Sequence, residues 1–260
     1  MQKPVSYTKV GSDLFYLQLT WTFWALGIFL FINIARLLFF NHVDSYYSGG
    51  YISANIFMLV IGIIAINFLP YYVGNGITRK NYFVGNVLAS IGLSIAIPIL
   101  VYIISFFEKL IVNNVTSIVL RDKTLETAVE EVTTEIDGNV IGEVIQSIIL
   151  TPFIDPGSNL VLSLALFSLH IFVFYIIGWM IGAAFYRLGV IGGLIFSATG
   201  LALILLKDSM IRLVLDIPLL QNLKVLENVP ENMALPSVLI IVLVSIMLIR
   251  ILTKRVPIKI

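Results

Sequence analysis

Few residues in this chain could do covalent chemistry. Of its 260 residues two are histidine and none is cysteine, which excludes thiol catalysis, iron–sulfur ligation, thiolate zinc sites and disulfides. A membrane metalloprotease of the kind that processes prenylated proteins needs two intramembrane histidines on a metal and a Glu-Glu-x-x-x-Arg motif beside them. Here Glu130-Glu131-Val132-Thr133-Thr134-Glu135 has Glu in place of the Arg, His42 flanks an aqueous interface, and His170 is alone in its apolar run. Gly-x-x-x-x-Gly-Lys-Ser/Thr does not occur, so the chain does not hydrolyse ATP by the P-loop route. The sequence therefore assigns no catalytic residue, no metal site and no cofactor. What remains is binding and mechanical chemistry. Asn55, Asn67 and His170 sit inside apolar runs, where polar groups mark a substrate path or bond a neighbouring helix. The stretch Gly76-Ile77-Thr78-Arg79-Lys80-Asn81-Tyr82-Phe83 is a short basic interruption between two long apolar segments.

The elements that must position these residues are membrane helices. Hydrophobic residues make up 59% of the chain and charged ones 12%, with a mean hydropathy of +1.01, which no soluble domain of this length carries on its surface. The expected fold is all-α, a single polytopic permease-like domain over 1–260 with six spans at about 19–40, 52–72, 84–107, 160–185, 190–206 and 235–252. Residues before 19 read as a short interfacial helix. Tyr46 and Tyr47 suit an outer turn with aromatic anchoring. Pro70 is expected to loosen the end of span two, and Pro98 to kink span three. Gly178 and Gly182 have the spacing that lets helices approach closely. Two outer excursions follow, 108–159 and 207–236. The first is acidic, with apolar positions at helical spacing near 125–132 and a more apolar stretch at 141–149. The second carries Met210, Ile211, Val214 and Leu215 in an expected re-entrant or interfacial helix.

Charge orients the map. With both termini cytoplasmic, the inner segments collect Lys3, Lys9, Arg79, Lys80, Arg187, Arg250, Lys254, Arg255 and Lys259 against Asp13 alone. Short inner loops retain Lys and Arg, so 74–83 is placed at the cytoplasmic face of a bacterial plasma membrane. Nothing points to nucleic acid.

A chain of this length with six spans and a Gly-x-Thr-Arg-x-x-Tyr-Phe turn between spans two and three resembles the membrane subunit of a bacterial ABC-2-type exporter. The residues carrying the resemblance are Gly76, Thr78, Arg79, Lys80, Asn81, Tyr82 and Phe83. It implies a separate ATP-binding cassette ATPase that supplies ATP and Mg, a second permease copy or homologous permease, and a coupling helix at 76–83 whose Tyr82 and Phe83 dock on the motor. The chain departs from the family in lacking an acid just ahead of the glycine, in Leu69-Pro70-Tyr71-Tyr72-Val73-Gly74-Asn75. Apolar walls suit an amphipathic or hydrophobic substrate, such as a peptide, antibiotic or lipid. A membrane-embedded sensor or immunity protein that binds a peptide at its outer loop is the alternative reading, and an intramembrane protease the third. Arg79 and Lys80 would serve as topology signals alone in either case.

Overall fold

The computed structural model describes residues 6–39, 42–115, 119–121, 151–217, 219, 223, 226 and 228–257. They form helices α1 (Tyr7–Phe39), α2 (Tyr46–Ala65), α3 (Phe68–Gly74), α4 (Arg79–Val115), α5 (Leu160–Val214) and α6 (Glu231–Lys254). Two three-residue strands, β1 (His42–Asp44) and β2 (Val119–Arg121), pair in parallel where α1 and α4 end. Among the described residues five helical stretches are long and apolar enough to cross a membrane: Tyr7–Arg36, Tyr46–Gly74, Arg79–Val112, Leu160–Val214 and Asn232–Lys254. The stretches near 125–132 and 141–149 lie outside the described residues.

The break between α2 and α3 follows from Pro70. Its nitrogen has no hydrogen to give to the carbonyl four residues back, so Ile66 O takes the amide of Leu69 at 3.1 Å and the helix restarts at Phe68. α3 then ends in a Schellman turn. Ile77 N donates to Tyr72 O at 2.9 Å and Gly76 N to Val73 O at 3.0 Å, with Gly76 in the left-handed region at φ 81°, where a side chain is disfavoured. Thr78 starts α4, its hydroxyl accepting the amide of Asn81 at 3.1 Å as an N-cap. α4 passes unbroken through Pro98.

α5 is 55 residues long, or ~82 Å at 1.5 Å per residue, well over twice the ~30 Å of a hydrocarbon core. It is not straight. Gly189, at φ 74° and ψ −164°, is non-helical, and around it the limb of residues 190–214 folds back along the limb of residues 160–188. Gly200 meets Ile177 and Ile181, Ile204 packs with Val173, Phe174 and Ile177, and Lys207 reaches His170. α6 returns along the second limb, with Ala234 and Val238 against Met210 and Ile211. Near its other end Arg187 bonds the carbonyls of Ile251 and Leu252.

The first limb of α5 lies parallel to α2, and the contact is backbone on backbone. A Cβ at Gly178 would collide with Leu59 O, one at Gly182 with Ile63 O, and one at Gly62 with Tyr175 O. Close packing is thus the role of the Gly178/Gly182 pair. α1 lies parallel to α4 in the same manner, Gly11 against the backbone of Gly85.

Several expected boundaries move. The amphipathic start of the chain is no separate interfacial helix but the first turns of the 33-residue α1. Tyr46, Tyr47 and Tyr51 are buried within the bundle instead of anchoring an outer turn in lipid. Residues 207–214 continue α5, with Lys207, Asp208 and Arg212 buried, and are not a re-entrant helix. The helix does not end at Leu206, because the charges that follow are enclosed and paired.

Candidate functional site

The turn at 74–83 sits at the end of the bundle that also carries Lys9, Asp13, Arg187, Arg250, Lys254 and Arg255. It holds no short helix lying across that end: the segment from Arg79 is the first turn of the 37-residue α4. Gly76, Thr78 and Lys80 are exposed and Ile77 is buried beneath them. Arg79 and Asn81 are half-buried.

Tyr82 points inward, a correction to the expectation that it docks on a partner, and Phe83 is half-buried. Tyr82 is fully buried, and its hydroxyl donates to Ala65 O, a carbonyl that lost its usual helical partner at the Pro70 break. Its ring lies 5.8 Å from that of Tyr72 and 6.4 Å from that of Trp179. Phe83 packs on Trp179 at 5.4 Å, with the Arg250 guanidinium 5.3 Å from its ring, a cation–π contact. The start of α4 is thereby riveted to α2, to α5 and to the end of α6.

The three polar candidates do not converge. Asn67 is exposed at the α2–α3 break. Asn55 is fully buried one turn beyond Tyr51, its amide without a hydrogen bond of good geometry. His170 is fully buried and held from both sides. The Lys207 ammonium donates to its Nδ1 at 2.6 Å, which leaves the ring proton on Nε2, donated to Pro152 O at 3.1 Å. Tyr51 donates to the same carbonyl at 2.8 Å. Lys207 also pairs with Asp208 and lies 4.9 Å from the Phe174 ring. One network thus joins α2, both limbs of α5 and the 151–159 turn.

Sequence reasoning missed three members of this end. Lys207 and Asp208 carried a signal in being opposite charges that directly terminate an apolar run. Glu108, grouped with the acidic excursion, belongs to α4 and is buried. It accepts from Asn33 Nδ2 at 2.5 Å and from the Tyr46 amide at 2.6 Å, while Tyr46 donates to Leu26 O at 3.1 Å. One carboxylate therefore ties α1, α2 and α4 together at the end opposite the basic turn. A shallow cavity of about 160 Å³ opens nearby, lined by Tyr47, Tyr102, Ser105, Phe106, Lys109 and Pro156. Among the described residues no cluster of His, Asp and Glu could hold a metal ion.

Comparison with protein-family models, with curated proteins and with solved structures finds no match.

Proposed function

We propose that the chain is the membrane permease subunit of an ABC-2-type exporter. In this reading it crosses the bilayer six times, α5 supplying two crossings folded at Gly189, with both termini and the 74–83 turn cytoplasmic. A separate ATP-binding cassette ATPase acts on that turn, and a second permease, identical or homologous, completes the path for an amphipathic or hydrophobic substrate. The observation that carries the reading is the mechanical continuity of the turn: its rim of Asn75, Gly76, Thr78 and Lys80 is exposed, while Tyr82 and Phe83 join it to α2, α5 and α6. A push on the rim is carried into the bundle by packed side chains, the kind of rigid connection that domain-scale switching needs.

The division between rim and rivet defines the test. Lys80→Glu leaves every buried contact of the turn in place. In the complex purified with its ATPase it lowers retention of the motor and transport-coupled ATP turnover by roughly tenfold, a loss of about 1.4 kcal/mol of association. The isolated permease keeps its thermal stability. Unchanged retention and turnover would overturn the coupling role and favour the sensor reading.

A further inference from the structure

The interior of the bundle holds buried polar side-chain atoms whose hydrogen bonds are unmet. Gln18 of α1, Asn86 of α4 and Tyr175 of α5 are all fully buried, and they meet where these three helices pack. Tyr175 gives its one proton to Asn86 Oδ1 at 2.8 Å, with Gln18 beside the same phenol. Asn86 Nδ2 and both polar atoms of the Gln18 amide are left without a hydrogen bond of good geometry. Trp179, one turn along α5, is fully buried with Nε1 also unpartnered.

Rotating the amides does not close the account. Exchanging oxygen and nitrogen leaves both Gln18 atoms unpartnered, and at Asn86 it turns an unpartnered donor into an unpartnered acceptor. The hydroxyls of Thr22 and Ser90 give their protons to the carbonyls of Gln18 and Val87 at 2.8 Å each, so neither has a proton left for Gln18 Oε1. In an apolar bundle an unmet polar group costs several kcal/mol, and buried polar groups of native proteins find partners. What is unmet is three donor atoms, Gln18 Nε2, Asn86 Nδ2 and Trp179 Nε1, and one acceptor, Gln18 Oε1, none of them charged.

We propose that the seam between α1, α4 and the first limb of α5, lined by Gln18, Asn86, Tyr175 and Trp179, binds a neutral molecule that accepts hydrogen bonds and can also donate one. Water and a peptide-type amide share that chemistry. A carboxylate or phosphate is a poorer occupant, because the four lining side chains carry no charge and burying an unpaired anion is costly. The inference concerns the interior of this chain and stands whether or not an ATPase grips the turn.

Trp179 reports on its own partner. In a Trp21→Phe/Trp24→Phe background, which keeps an aromatic ring at Trp21 beside Phe68 and at the exposed Trp24, Trp179 is the remaining indole. An indole N–H bonded to an exchangeable acceptor emits to the red of one in dry hydrocarbon. With water as occupant its yield rises in D2O, and N-acetylalanine amide leaves the emission unmoved. With an amide site, added N-acetylalanine amide shifts the emission saturably. In either case Gln18→Leu/Asn86→Leu abolishes the response. Dry-hydrocarbon emission with no response to D2O or to the amide, read in the background protein alone, overturns the proposal. So does a response that survives the double leucine variant.

Discussion

Tyr82 separates an internal rivet from a docking anchor. Replacing it with Phe removes one oxygen and keeps the ring. The oxygen matters because Ala65 O is a buried carbonyl whose usual donor, the amide of Leu69, has turned to Ile66 O at the Pro70 break. Removing one partner of a buried pair costs about 1–3 kcal/mol. Tyr82→Ala also deletes a fully buried ring packed on Tyr72 and Trp179, and large-to-small changes of an aromatic in a core cost about 3–5 kcal/mol. Reversible unfolding of the purified chain in mixed micelles, without any partner, measures both. The account predicts the order wild type, Tyr82→Phe, Tyr82→Ala with a clear step at each substitution. Tyr82→Phe within about 0.5 kcal/mol of wild type, the range of surface changes, together with a neutral Tyr82→Ala, would refute the rivet and return Tyr82 to a partner surface.

The same unfolding assay checks two further expectations. Gly182→Val places a Cβ against Ile63 O and forces α2 and α5 apart, costing at least about 2–3 kcal/mol, whereas Gly27→Ala, with nothing within 4 Å, is neutral or gains up to about 1 kcal/mol. Lys207→Met removes the donor to His170 and the partner of Asp208, and breaking a buried pair costs about 3–5 kcal/mol; Asp208→Asn added to it recovers part of that loss.

What the sequence made legible was the placement of apolar runs and the residues that interrupt backbone geometry. Pro70 announced the break after α2, the Gly178/Gly182 spacing announced a close contact, and the brief stretch ending in Gly189 marked where α5 reverses. Inside the runs the sequence was nearly silent about direction. In a soluble helix polarity tells the buried face from the exposed one, but in these helices lipid-facing and protein-facing positions are both apolar. Tyr82 and Tyr46 could therefore not be told from surface aromatics. Charge misled for a related reason. Lys207 and Asp208 fall just past the expected end of span five at 206, and only the third dimension brings His170 and Phe174 to Lys207. The functional motif shows the same limit. Gly76, Thr78 and Tyr82 each have a folding role, as Schellman glycine, N-cap and rivet, so their presence alone does not distinguish a coupling turn from a well-made helix start.

The rim of that turn carries the central claim, and proximity tests it most directly. A photoreactive side chain in place of the exposed Lys80, activated in native membranes, is predicted to form an adduct with a protein that contains Gly-x-x-x-x-Gly-Lys-Ser/Thr. The same group in place of Val161, 78% exposed at the opposite end of the bundle, is predicted to form none. An absent Lys80 adduct, an adduct lacking the P-loop, or the same adduct from both positions would contradict the account.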